Sequence, residues 1–424
     1  MVEVRDEILK KILDSMTITD KGVIQWQGSA SFEYGRYLSL LLLELMLDNK
    51  VQSKLQKLRY GFTSENEIFF GNELNSIFEN MKNEKKEKYS DFMNKFNILL
   101  ENIKQDSKPE KFELYYPINI KTDEKINAIK FRDVEIEIKN YEEIKNLLEN
   151  ETFKDKFKFQ KLTKSKYKYI KINLYSRNKN FAEQIATKYA NLILGFISYS
   201  QNYGNSFVKI IGIPKELTEL KTNYIFVFKN NNFQGYYFFE DKSDDKKVYD
   251  LSKTDISNLN KFVEKYNKAD TKIQEILFKT INLYYSGLIE KSINYSFLNF
   301  WTALEIISLK KKGIPHSKII KKLKSILVNL KPLEEHKIDR IYSLRNNFIH
   351  DGAYNISQYD RNLMKTYIEL FIEFFLFNLT DYNVQEIQTI FEFMQKDNIT
   401  LKNSKNLINF VIKLREKDKN DTTY

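Results

Sequence analysis

The apolar positions change period twice along the chain, and each change marks a different kind of element. From residue 1 to about 110 the spacing is helical. Leu38–Leu47 is a strongly apolar run, and Glu79–Lys104 alternates charged and apolar residues at the spacing of a helix face. Val23-Ile24-Gln25-Trp26-Gln27 predicts one short strand there, and the Lys/Glu run at Lys82–Lys88 reads as a solvated helix or loop. From about 112 the period drops to two. Leu114–Ile120, Val134–Ile138 and Tyr169–Leu174 predict strands, with further candidates at Phe207–Ile211, Tyr224–Phe228 and Tyr236–Phe239. Among them, Phe181, Ile185, Tyr189, Leu192, Ile193 and Phe196 mark an amphipathic helix, and Asn230-Asn231-Asn232 predicts a hairpin turn.

From about 265 the helical period returns. Ile273, Ile276, Thr280, Tyr284 and Leu288 form one stripe. Phe297, Trp301, Leu304 and Ser308, flanked by Phe300 and Ile307, form a second. A lysine-rich helix begins after Gly313-Ile314-Pro315, another helix follows Pro332, and Ile368, Phe371 and Phe375 line one more. Short loops between long amphipathic helices predict antiparallel neighbours in a bundle. The expected fold class is α+β, multidomain and mostly helical. It divides into a helical N-terminal region (1–110), a central mixed α+β domain of sensing or regulatory character (111–262), and an antiparallel bundle with C-terminal helices (263–424).

Composition narrows the chemistry. A chain of 424 residues with 42% apolar and 29% charged residues is expected to be globular, with two or three cores. With 12 Gly and 5 Pro, its domains should be joined by short or helical connections. The absence of cysteine excludes disulfides, zinc ribbons, iron–sulfur clusters and thiol nucleophiles. Its three histidines, His316, His336 and His350, include no close ligand pair, so no histidine-rich metal site is expected, which leaves a carboxylate-bound Mg²⁺ open; the expected cofactor is none. No glycine-rich phosphate loop and no solenoid-period repeat occurs. The N-terminus has no apolar signal core, and the apolar runs Leu38–Leu47 and Ile368–Leu379 fall short of the roughly 20 residues that span a bilayer. The expectation is a cytoplasmic protein with no membrane partner. A formal charge of +11 favours polyanionic partners, but only modestly.

The densest candidate chemistry is Arg345-Asn346-Asn347-Phe348-Ile349-His350. An arginine can hold a phosphate and stabilise charge developing on it, and a histidine can move protons at neutral pH. Asn346 and His350 are four apart, so the amide can orient the imidazole. The apolar stripe Ile338, Ile341, Tyr342, Arg345, Phe348, Ile349 turns Arg345 inward. A guanidinium there needs a partner, and Glu305, one turn beyond Trp301, is the candidate. Two readings follow: a structural Arg–Glu bridge, or a catalytic site. Five residues along an ideal helix separate Arg345 from His350 by about 140°. A site would therefore need a helix break near Asp351-Gly352 or a second copy of the chain across a two-fold axis. Between Leu309 and Lys324 stand Lys310, Lys311, Lys312, Lys318, Lys321, Lys322 and Lys324 with no acid; they could track an RNA backbone or simply form a solvated face. His316, in a Pro-His-Ser helix start, reads as a capping-region residue, and His336 as exposed.

The R-N-x-x-x-H pattern resembles the arginine–histidine signature of the HEPN superfamily. Its surroundings resemble the Apea-like HEPN group in Phe300-Trp301-Thr302-Ala303-Leu304-Glu305, Ile341-Tyr342-Ser343-Leu344-Arg345-Asn346 and His350-Asp351-Gly352. Lys179-Asn180-Phe181-Ala182-Glu183 is similar to the region preceding such domains. The likeness covers about 265–380 well and the α+β region loosely. It implies a five-helix bundle and a metal-independent endoribonuclease, acting in phage defence (abortive infection) or as a toxin, with a dimeric active site. Arg345 would bind the scissile phosphate of an RNA, tRNA among the candidates. His350 would take the 2′-OH proton or protonate the leaving oxygen, and Asn346 would orient His350 or the phosphate. Glu305 would position Arg345, and the products would carry a 2′,3′-cyclic phosphate. Alternatives of other classes are a non-catalytic RNA-binding or dimerisation module, and a sensor whose central domain takes a phage protein or small nucleotide as trigger.

Overall fold

The computed structural model describes residues 2–18, 24–25, 37–38, 40–41, 45, 48–58, 67–106, 108–148, 168–202, 224–238, 249–309, 315–327, 332–351, 356–397 and 399–409. The protein is mostly helical with a small antiparallel sheet, an α+β architecture. It divides into two compact units that interleave in sequence. One holds Met1–Tyr115, Ile172–Thr187 and Ile225–Tyr237; the other holds Tyr116–Lys171, Lys188–Tyr224 and Phe238–Tyr424. Residues of the central stretch fall in both units.

In the first unit, helices α1 (Val2–Asp14), α2 (Asn49–Leu58), α3 (Glu67–Asn83) and α4 (Tyr89–Asp106) accompany a two-residue antiparallel pair, β1 (Thr17–Ile18) and β2 (Ile24–Gln25). The short strand expected around Ile24 is present; its neighbour Trp26 lies outside the described residues. Leu9, Ile12, Leu74 and Leu100 join Leu38, Leu41 and Leu45 of the apolar run in one core. Phe92 stacks between Phe78 and Phe96, with centroids 5.8 Å away on each side. Lys82 Nζ donates to the carbonyls of Leu13 and Met16, supplying donors to groups that the end of α1 leaves without helical partners.

The main sheet has the strand order β5-β6-β7-β3-β8-β9, from β3 (Glu110–Ile118), β5 (Ile129–Phe131), β6 (Val134–Asn140), β7 (Lys168–Ser176), β8 (Tyr224–Lys229) and β9 (Asn232–Phe238). β3 and β8 are antiparallel with Tyr115 opposite Phe226, and β5 and β6 with Ile129 opposite Ile136. The β8–β9 turn is Asn230-Asn231, with φ of 49° and 65°. A two-residue hairpin requires left-handed residues, and asparagine tolerates that conformation because its amide bonds locally. The strand expected at Phe207–Ile211 lies outside the described residues. β4 (Ile120–Lys121) pairs in parallel with β10 (Tyr249–Asp250), and two helices complete the region, α5 (Tyr141–Leu148) and α6 (Lys179–Asn202).

Within the second unit, two asparagines of α7 (Lys253–Lys268) bond the backbone of β5 and of the segment leading into it. Asn260 Nδ2 donates to Lys125 O at 3.0 Å while its Oδ1 accepts from Asn127 N at 2.8 Å. Asn267 repeats the arrangement with Ala128 O at 2.8 Å and Lys130 N at 2.9 Å. Seven residues apart, the two amides share one helix face. Each supplies the donor and acceptor that a neighbouring strand would, which closes the edge.

Helices α8 (Thr271–Ile289), α9 (Ile293–Ile307), α10 (Ser317–Ile326), α11 (Pro332–Asp351), α12 (Gln358–Asn378) and α13 (Val384–Met394) follow. The stripes read from sequence are buried at Ile273, Thr280, Tyr284, Leu288, Phe297, Trp301 and Leu304, whereas Ile276 is half-buried. α8 and α9 reverse through Glu290–Ser292 and approach closely at Gly287, where a Cβ would lie 2.6 Å from the Phe300 ring. α12 is buried on every side from Asp360 to Glu369 although it carries Arg361, Lys365 and Glu369. Lys365 and Glu369 pair with each other, and Arg361 bonds to neutral acceptors. Lys365 Nζ lies 2.7 Å from Glu369 Oε1, and Tyr284 Oη donates to the same oxygen at 2.5 Å. Burial first, and then Glu369, hold the Tyr284 hydroxyl far above its ordinary pKa, so it remains a donor. Among the described residues no helix is long and apolar enough to cross a membrane.

Candidate functional site

α11 opens on Pro332, a residue suited to the first turn because it has no N–H to satisfy. Ile338, Ile341 and Leu344 form its buried stripe, and Arg345 follows on the same side. Arg340 ties this helix to α12 through a two-point pair with Asp360, Nε to Oδ1 at 2.9 Å and Nη2 to Oδ2 at 3.2 Å. Asp360 also closes the capping box of α12 with Ser357. Burial raises the pKa of this carboxyl, but hydrogen bonds from Arg340 and Ser357 and the arginine's charge outweigh it, leaving a net lowering.

Around Arg345 the helices bring together residues that are distant in sequence. The guanidinium carbon lies 5.8 Å from the centre of the Trp301 ring, on α9. Nη1 donates to Asn346 Oδ1 at 3.2 Å. Nη2 is 3.0 Å from His316 Nε2 and 3.8 Å from Glu305 Oε1. Nε is buried and has no hydrogen-bond partner among the described residues. Glu305 Oε1 is itself a hub, 2.6 Å from His316 Nε2 and accepting from Trp301 Nε1 at 2.9 Å. Tyr342 stacks on Trp301 with centroids 6.3 Å apart, backing the indole from α11. The side chains of Arg345, Glu305 and His316 are 14%, 21% and 24% exposed. The site is thus half-buried: low enough in dielectric for charge to matter, open enough for solvent to reach it.

The structure brings Arg345, Asn346 and Glu305 together, with Glu305 bonded more closely to His316 and Trp301 than to the arginine. His350 is on the last turn of α11, and its side chain lies outside the described residues. The helix runs through His350 to Asp351, and Gly352, where a break was expected, lies outside the described residues. Asn346 Oδ1 accepts from Arg345 Nη1, and the His350 side chain that Asn346 was expected to orient lies outside the described residues. Residues 352–355 lie outside the described residues, as do Lys310, Lys311 and Lys312.

Lys318 and Lys321 are exposed on α10. Lys322, grouped with them by sequence, is half-buried; its Nζ donates to Ser308 O at 2.5 Å and lies 4.9 Å from the Phe391 ring centre. It holds α10 to the end of α9 and to α13, and so serves packing. Lys324 is 2.9 Å from Asp339. His336 is exposed, as its polar surroundings predicted.

His316 is the residue that pattern reading assigned to another role. It occupies the N-cap position of α10, but its side chain makes no capping bond and turns to Glu305 instead. The signal was present in chemistry rather than spacing. Effective N-caps are short oxygen acceptors, and imidazole is not one of them.

Elsewhere in the second unit, Asp123, Lys125, Glu137, Lys139, Glu143 and Lys168 line a cleft of about 510 Å³. Burial lowers the pKa of Lys168, with Asp123 and Glu143 opposing the shift. Among the described residues no group of three or more His, Asp or Glu could hold a metal ion. No family model, curated protein or solved structure matches the chain.

Proposed function

We propose that the chain is a HEPN-type, metal-independent endoribonuclease that works as a homodimer through its C-terminal bundle, in antiphage defence or as a toxin. The reading rests on the R-N-x-x-x-H pattern and on one observation: Arg345 sits half-buried with its Nε–H uncommitted among the described residues, beside Glu305 and Asn346. A guanidinium so placed can take a phosphate oxygen and stabilise charge that grows on it. His350 then takes the ribose 2′-OH proton or protonates the departing 5′-oxygen. The 2′-oxygen bonds to phosphorus as the P–O5′ bond breaks, and a 2′,3′-cyclic phosphate results. DNA, lacking the 2′-OH, is inert. With about 140° between the two residues on an ideal helix, the histidine serving one Arg345 comes from the second copy. Lys318 and Lys321 extend the track for the RNA backbone.

Incubation with tRNA or total RNA in EDTA tests this. Cleavage should be lost, by at least about 1,000-fold, in both Arg345→Ala and His350→Ala, with the fold retained. The low exposure of Arg345, 14%, favours a second reading, a non-catalytic RNA-binding module in which the arginine braces the bundle. Intact RNA in every preparation, with wild-type binding that persists in Arg345→Ala, would establish that second reading.

A further inference from the structure

Glu305 Oε1 takes two close hydrogen bonds, from Trp301 Nε1 at 2.9 Å and from His316 Nε2 at 2.6 Å, while Arg345 Nη2 stays 3.8 Å away. A contact of 2.6 Å between an imidazole nitrogen and a carboxylate assigns the proton to Nε2, which donates it. A protonated Nε2 has no lone pair for Arg345, so the 3.0 Å approach of Arg345 Nη2 to that nitrogen is a packing contact rather than a hydrogen bond. Arginine and glutamate on facing helices would ordinarily close into a parallel two-point pair. Here the imidazole stands in the way. Arg345 is left with Asn346 Oδ1, the face of Trp301, and a buried Nε that has no partner among the described residues.

We propose that His316 is a positioning residue: it occupies the Glu305 carboxylate and so keeps the Arg345 guanidinium available for a phosphate oxygen of a polynucleotide. The wedge is built from both ends. Trp301 holds Glu305 in place, and the N-cap position of α10, where the His316 side chain caps nothing, delivers the ring to it. Loss of the imidazole lets Glu305 and Arg345 close on each other, neutralising the cation that the phosphate needs. The inference rests on the phosphate role proposed above for Arg345, but not on cleavage.

The test uses a single-stranded 2′-O-methyl RNA, which has no 2′-OH to react, with binding to the full chain followed by fluorescence anisotropy. His316→Leu should weaken binding about tenfold, the loss of one charge-assisted contact. Glu305→Gln added to His316→Leu should recover most of that loss, since the amide no longer captures the guanidinium. His316→Gln, which keeps an N–H for Glu305, should also recover most of it and covers the case in which the leucine variant does not fold. In an Arg345→Ala background none of these changes should matter. A merely structural His316 would give a loss that Glu305→Gln deepens instead of reversing, and that result overturns the proposal. So would His316→Leu binding as tightly as the wild type, or wild-type binding that does not depend on Arg345. A wild type that binds and shows the rescue pattern but never cleaves unmodified RNA removes the nuclease reading and leaves the wedge standing.

Discussion

The second unit carries two Arg-Asn pairs, each set over one of two consecutive aromatic residues of α9. Arg361 lies 5.5 Å from the Phe300 ring centre and donates Nη1 to Asn362 Oδ1 at 3.0 Å. Arg345 lies 5.8 Å from Trp301 and donates Nη1 to Asn346 Oδ1 at 3.2 Å. Beyond that the two differ. Arg361 spends Nε on Ser296 Oγ at 2.8 Å and Nη2 on Gly287 O at 3.3 Å, so every face of the guanidinium meets a fixed neutral acceptor. Its three hydrogen-bond acceptors carry no charge, and it works as a lock between α8, α9 and α12. Burial lowers the Arg361 pKa, partly countered by Tyr284 and Glu369. Arg345, by contrast, faces an imidazole and a carboxylate that are bonded to each other. The same dipeptide on the same kind of aromatic seat makes a fully bonded brace in one place and leaves a buried Nε with no partner among the described residues in the other. The surrounding acceptors decide which.

That contrast can be tested by substitution, and the largest effect is expected beside the lock. Lys365→Met removes the cation from a pair only 3% and 2% exposed, leaving the buried Glu369 without its ion-pair partner. Urea unfolding should show a loss of about 3–5 kcal/mol, with much of it recovered by pairing the change with Glu369→Leu. Arg361→Met comes next, at roughly 3 kcal/mol, because Ser296 Oγ and Gly287 O lose a charged donor inside the bundle. Arg345→Met should cost less than about 1 kcal/mol, since it abandons one hydrogen bond and a distant carboxylate. If the two arginine variants proved equally unstable, the distinction between brace and site would collapse.

The smallest effect concerns the clip between the helices that bear the two arginines. The Asp360 carboxyl has a folded pKa below its ordinary value, so the stability it contributes is present above the unfolded Asp value of about 3.9 and is lost as pH falls through the folded one. Asp360→Asn should flatten the acid limb of thermal stability below about pH 4 and leave its neutral-pH slope unchanged. An unaltered acid limb would mean that Arg340 and Asp360 do not hold α11 to α12 in solution.

Much of the fold was legible because local periods report local faces. Thr280, Tyr284 and Leu288, or Phe297, Trp301 and Leu304, are buried on the stripes that helical spacing assigns. The asparagines at 230 and 231 announce a turn because few residues accept a positive φ. What stayed hidden is polar. Nothing in the pattern marks Asn260 and Asn267 as substitutes for a missing strand, since their partners are backbone groups more than 130 residues away. α12 reads as an ordinary amphipathic helix, yet Arg361, Lys365 and Glu369 are interior because neighbours from α8 and α9 surround it. In the candidate site, Arg345, Asn346 and Glu305 could be named from spacing and residue type. His316 could not, because its role depends on where a helix start is delivered.

The sequence by itself determined the buried stripes of the bundle helices and the strands around Leu114, Val134 and Tyr169, and that Arg345 faces inward with an asparagine beside it. Both are properties of spacing along one stretch of chain, set by backbone geometry. Tertiary structure alone decided the order of strands in the main sheet, which arginine is sealed, and which imidazole stands at Glu305. Those outcomes depend on contacts of 2.5 and 2.6 Å between groups 85 and 11 residues apart, Tyr284 with Glu369 and His316 with Glu305. No periodicity along the chain encodes a distance of that kind.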